Sequence, residues 1–169
     1  EEAAGQGLTA GINAMCKVLA KSPMVLGRDQ AYIGVMIDDL VTRELEEPYR
    51  LLTSRAEYRL LLRQDTADLR LTPTAYDLGL VERNRHEAVE AKREAIEAEL
   101  RRLSKTYINP SAKINARLHA LGISPLSRGT KAAELLRRPE ATYSTLVSLA
   151  FGKSDLSAEI TNQVEVSAK

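Results

Sequence analysis

Arg50, Arg55, Arg59 and Arg63 are four of the five arginines in one stretch that is otherwise mostly apolar or acidic, EPYRLLTSRAEYRLLLRQDTADLRLT, residues 47–72. Of these four, the last three recur every four residues, so a helix would stack them on one ridge, where like charges repel by about 0.2–0.5 kcal/mol per pair. A planar guanidinium fork suits phosphate, so one reading makes the ridge a phosphate-binding surface. The other has Glu44, Glu46, Glu47, Asp65 and Asp68 neutralise it locally.

Elsewhere the chain offers little chemistry. Asp38 and Asp39 are adjacent, so on a helix they diverge by about 100° and do not face each other as an acid/base pair. An ion-paired or solvated role is expected for them. GQGLTA (Gly5, Gly7, Ala10) satisfies the letter of a dinucleotide fingerprint, but the residues before it, EEAA, form helices rather than the strand that loop requires. A small-residue helix packing closely on a neighbour is expected instead. One cysteine, Cys16, excludes an internal disulfide framework, and with His86 and His119 it makes no zinc constellation. No Ser/His/Asp or Cys/His set stands out, and catalytic and metal residues are expected to be absent.

The elements that must position the arginines follow from periodicity and punctuation. A helix opens the chain through about residue 20, and KSPMVLGRDQ is a connector. A second helix is predicted after an Asp29 cap, with Tyr32, Ile33, Met36, Ile37, Leu40 and Val41 on its apolar face. SRAE, Ser54–Glu57, reads as a capping box that starts the arginine helix. Thr72-Pro73 reads as the start of a short helix that Gly79 ends. A long polar helix follows from Glu82 to about Leu103, with Val89, Ile96 and Leu103 as a seven-residue seam and Glu90–Arg93, Glu97–Arg101 and Glu99–Arg102 as pairs; its His86 is expected to be exposed. Shorter helices then run to the end, one of them stopped at Gly122. The expected fold is mainly α, an irregular helical bundle.

The chain has 169 residues, 24 Lys+Arg and 23 Asp+Glu, so its net charge of +1 gives no global argument for nucleic acid, and only local clustering can. Aromatic residues are 4% of the total, which weakens the idea of a base-stacking platform. No apolar run is long enough to span a membrane, so a cytoplasmic protein is the default. The start lacks an initiator Met and a helix cap, and the end lacks a stop signal, so the chain is expected to be a piece of a larger protein.

The stretches LGRDQAYIGVMIDDLVTRE and EPYRLLTSRAEYRLLLRQDTADLRLT together resemble the glucose-inhibited division protein A family of tRNA-modifying flavoenzymes. EEAAGQGLTAGINA resembles the last helix of that family's FAD-binding α/β domain, and LLRRPEATYSTL and ITNQVEV resemble its C-terminal helical region. The resemblance implies residues 1–21 as that terminal helix, 22–80 as a linker and arginine-rich helical segment, and 81–169 as an incomplete C-terminal helical domain. It implies an enzyme using FAD, NADH and methylenetetrahydrofolate to add a carboxymethylaminomethyl group to the wobble uridine of certain tRNAs. It also implies a homodimer working with a GTPase partner.

The family's glycine-rich flavin loop and catalytic cysteines would lie before this stretch, so Cys16 takes no role and no cofactor is expected on this piece alone. Arg50 and Arg59 match family arginines associated with tRNA, Arg55 and Arg63 would widen that surface, and Gln6 and Gly7 would lie near the flavin at a helix start. Two other readings compete. One is a protein-interaction bundle whose arginines pair internally; the other is a self-sufficient flavin or nicotinamide enzyme built on GQGLTA.

Overall fold

The computed structural model describes residues 1–44 and 46–169. The chain divides into two compact units, Glu1–His86 and Glu87–Lys169, and the division falls in the first turn of a long helix.

In the first unit, α1 (Glu2–Val18) packs on α2 (Tyr32–Thr42), and Ile12, Cys16 and Met36 are buried. Gly5 permits the close approach, because a Cβ there would lie 2.9 Å from the Met36 Cε. Close packing does not extend to Gly7, beside which there is open space. Asn13 pins the connector by donating to the Met24 carbonyl (3.0 Å) and accepting from its N–H (2.6 Å). The connector then crosses α2 at Gly34, where a Cβ would meet the Gly27 carbonyl oxygen at 2.3 Å.

Helix α2 starts after Ala31 rather than at an Asp29 cap, because residues 27–30 are occupied by a turn closed from the Gln30 N–H to the Gly27 carbonyl (3.0 Å). Its buried side is Ala31, Val35, Met36 and Asp39; Val41, assigned to the apolar face, is exposed.

The arginine segment corrects the expected ridge. Thr53–Arg55 forms only a short 3₁₀ turn, Ala56 is extended, Tyr58–Leu62 is a separate turn, and a second 3₁₀ turn covers Gln64–Thr66. Helix α3 (Ala67–Asp77) begins nearly two turns earlier than Thr72-Pro73 predicts and runs through Pro73, which lacks one helical donor. Arg70 holds its first turns, donating to the Arg63 carbonyl at 2.9 Å and to the Gln30 carbonyl. Gly79 ends it as expected. With φ +75°, its N–H bonds the Tyr76 carbonyl while the Leu80 N–H bonds that of Ala75, closing a Schellman motif. His86 is not freely exposed: its ring stacks on Tyr76 at 4.3 Å with its Nδ1 buried.

Helix α4 (Arg83–Lys105) fulfils its expected seam, with Val89, Ile96 and Leu103 all buried. In the second unit β1 (Tyr107–Ile108) pairs antiparallel with β2 (Thr130–Lys131), a two-residue ladder among the helices. Between and after them come α5 (Ala112–Ala120), α6 (Ala132–Leu136), α7 (Tyr143–Ser148) and α8 (Ala158–Ala168). Gly122 closes α5 with the same motif as Gly79. Leu103, Ile108, Leu118, Leu135, Leu136, Leu146 and Val164 form the core.

Glu99 forms its expected pair with Arg102, and it is buried. It accepts from Arg102 at 2.6 and 2.8 Å and from the Tyr143 hydroxyl at 2.7 Å. The result is a mainly α, irregular bundle in which no helix among the described residues is long and apolar enough to cross a membrane.

Candidate functional site

The arginine segment is organised by Asp39, whose expected ion-paired role is borne out. Asp39 has no exposed side-chain surface, yet it sits on the buried side of α2 in register with Ala31 and Val35. Its oxygens accept from Arg28 Nη1 (2.8 Å) and the Tyr49 hydroxyl (3.0 Å), and lie near Arg43 Nε (3.0 Å) and Arg55 Nη1 (3.8 Å). Arg28 is the second hub. It donates to Asp38 at 2.8 Å, to both oxygens of Glu57 at 2.7 and 3.0 Å, and to the Arg55 carbonyl at 2.9 Å. The three guanidiniums of Arg28, Arg43 and Arg55 thus meet the three carboxylates of Asp38, Asp39 and Glu57.

This network explains the missing helix. A helix from Ser54 would need the Arg55 carbonyl for its own backbone and the Glu57 carboxylate for the capping box, and Arg28 holds both. The electrostatics follow the geometry. Burial pulls the Asp39 carboxyl upward, but the hydrogen bonds from Arg28 and Tyr49 outweigh it and leave the group below its ordinary value. The bonds from Arg28, and then a backbone N–H, bring Glu57 down to about 2. Arg28 is raised by the same contacts, first with Glu57 and then with Asp39.

The four arginines are therefore not equivalent. Arg55 stacks over the Tyr49 ring at 4.8 Å and faces Asp39, while Arg63 pairs with Asp65 at 3.0 Å. Arg50 and Arg59 are exposed, and neither makes an ion pair among the described residues. Arg59 Nε donates only a long bond, 3.4 Å, to the Ala56 carbonyl. Arg50 lines a shallow cleft of about 390 Å³ with Tyr49, Arg55 and Glu44, Glu46 and Glu47. The chain beside it is fixed by the Leu51 N–H donating to Glu2 of α1 at 2.9 Å.

Ala56 and Leu62 are buried with Val35 and Tyr32, so the turn between them, which carries Arg59, is anchored at both ends. The aligned ridge is absent, but its arginines remain neighbours along one braced segment. Arg28 and Tyr49 escaped sequence reasoning; for Asp39 an ion-paired or solvated role is expected, and it is ion-paired, but its link to the arginine segment was missed. The available signal was an acidic residue in register with Ala31 and Val35 on an apolar helix face.

Gln6 and Gly7 lie in the second turn of α1, both exposed, rather than at its first residues. GQGLTA is wholly inside that helix, so its N–H groups serve the helix and the tight phosphate-binding turn of a dinucleotide loop is not formed. These residues alone do not fit an FAD pyrophosphate site. Cys16 is buried, and no cluster of metal-ligating side chains occurs among the described residues.

The family model for the tRNA modifying enzyme MnmG/GidA C-terminal helical domain matches residues 83–169. The tRNA uridine 5-carboxymethylaminomethyl modification enzyme MnmG of Listeria monocytogenes serotype 4b is 58% identical over all 169 residues, and that of Exiguobacterium sibiricum 53%. In each case the chain spans 27% of the relative's length. The crystal structure of Aquifex aeolicus GidA (form II) superposes with a TM-score of 0.84 at 34% identity, covering 99% of this chain and 26% of that one. A helical bundle of this architecture and these likenesses together make the chain a member of the MnmG/GidA family of tRNA modifying enzymes.

Proposed function

We propose that this chain is the C-terminal part of a flavoenzyme that, with a GTPase partner, adds a carboxymethylaminomethyl group to the wobble uridine of certain tRNAs in the cytoplasm. Its own contribution is tRNA-binding and docking surface. FAD, NADH and methylenetetrahydrofolate are handled by other parts of the homodimeric protein, with Gln6 and Gly7 of α1 neighbours of the flavin. The names of the relatives support the reaction, and the segregation of the arginines supports the role of the segment.

That segregation is the observation that carries the reading. Arg55 and Arg63 are committed to Asp39 and Asp65, whereas Arg50 and Arg59 present their guanidiniums to solvent on a braced backbone. Solvent-facing arginines on a fixed segment are suited to phosphate oxygens, which position an RNA without reading its sequence. Arg55 and Arg63 shape that surface and lend it charge.

The test is tRNA affinity as a function of salt, for this chain and for the Arg50→Ala/Arg59→Ala variant. Each contact to a single-stranded phosphate contributes about 0.7 to the log–log slope, so the double variant should flatten it by about 1.4. An unchanged slope with unchanged affinity would leave the competing reading, a protein-interaction bundle, in possession of the segment.

A further inference from the structure

The turn Tyr58–Leu61 is built to display apolar side chains rather than to bury them. Leu61 and Leu62 N–H groups both bond the Tyr58 carbonyl, at 2.9 and 3.0 Å, which closes the turn tightly. Ala56 and Leu62 on either side are 4% exposed and packed on Val35. Between these anchors, Tyr58 is 46%, Leu60 87% and Leu61 53% exposed. Single exposed leucines are ordinary, but three large apolar side chains in one braced four-residue turn, interrupted only by a solvent-facing arginine, are not.

We infer that this turn takes an unstacked RNA base, with Tyr58 as the stacking surface and Leu60 and Leu61 as the apolar shoulder beside it. The inference rests on the tRNA-binding reading and deepens it. Unpaired loop bases are recognised by stacking on aromatic rings, while the backbone is held by cations. The turn places both kinds of group side by side: Tyr58 and Arg59 are consecutive, and Arg59 is exposed. The solvent-facing cation within the turn favours a nucleic acid over an apolar protein surface as occupant. A scarcity of aromatic residues in the whole chain does not count against a single ring placed at the tip of such a turn.

The experiment uses an RNA hairpin with the anticodon-loop sequence of a tRNA, carrying 2-aminopurine in the loop. Tyr58→Ala should weaken binding by about 5- to 150-fold at every salt concentration, without changing the log–log slope. Tyr58→Phe should keep the affinity, and quenching of the 2-aminopurine on binding should survive in Tyr58→Phe but not in Tyr58→Ala. All three side chains are exposed, so an unchanged melting temperature serves as the folding control.

Unchanged affinity and quenching in Tyr58→Ala would overturn the inference. If Arg50→Ala/Arg59→Ala still flattened the slope, only the stacking role would fall. If neither variant changed binding, the tRNA-binding reading would fall with it. A change in sedimentation behaviour for Tyr58→Ala/Leu60→Ala, with RNA affinity intact, would assign the turn to a protein contact and refute the base-stacking role.

Discussion

Replacing Asp39 by Asn removes the charge at the centre of the arginine segment and leaves the side chain's size unchanged. Breaking a buried ion pair from one side costs about 3–5 kcal/mol, because the partner charge stays buried. Here the cost is moderated. Arg28, 19% exposed, keeps Glu57 and Asp38, and Arg43, 55% exposed, can be rehydrated. Tyr49, however, loses a charged acceptor at 3.0 Å, and hydrogen bonds to charged groups are worth about 1.5–3 kcal/mol.

The expected loss is therefore about 3 kcal/mol for the Glu1–His86 unit, a drop of on the order of 10–20 °C in its melting transition. Calorimetry at pH 7 reads this directly, and the transition of the Glu87–Lys169 unit serves as an internal reference. A loss below about 0.5 kcal/mol, the size of an ordinary surface substitution, would refute the claim that this carboxylate braces the segment.

The same network sets an acid limit. Glu57 and Asp39 are both held below their ordinary values, Glu57 at about 2, so the stability they contribute is present above about pH 4.5 and is lost as the pH falls toward 2. Circular dichroism during acid titration should show the loss, and Glu57→Gln should lessen the dependence. Ala20 and Ala150 close α1 and α7 at φ +51° and +65°, where an L side chain costs about 1–2 kcal/mol. Glycine there gives back some of that in unfolded-chain entropy, so Ala20→Gly and Ala150→Gly should each stabilise by roughly 0.5–1 kcal/mol in urea unfolding. Gly34→Ala places a Cβ 2.3 Å and 2.6 Å from two backbone carbonyl oxygens, and should cost roughly 3 kcal/mol by the same assay.

Local signals carried the helices whose ends are settled locally. The seam of α4 and the Gly79 and Gly122 stops depend on residues within a turn or two of each other, and they stand where their spacing puts them. Ser54–Glu57 had an equally good local signal and failed, because Arg28, 29 residues before Glu57, takes both groups that a helix would use. Pro73 misled in the same way: Arg70's bonds, one of them to the Gln30 carbonyl 40 residues away, brace the turns before the proline. The burial of Glu99 likewise depends on Tyr143, 44 residues further on. The arginines could be picked out by type and spacing. Their division into paired and unpaired could be read only in part: Asp65 stands two residues from Arg63, but the pairing of Arg55 turns on where Asp39 is buried.

That division is also what one measurement tests most directly: melting temperature and tRNA salt slope, side by side, for Arg50→Ala/Arg59→Ala and for Arg55→Ala/Arg63→Ala. The first pair should flatten the slope and leave the melting temperature in place, while the second should lower the melting temperature by several degrees. The opposite pattern, with Arg55 and Arg63 governing the slope at unchanged stability, would contradict the assignment of Arg50 and Arg59 as the phosphate contacts.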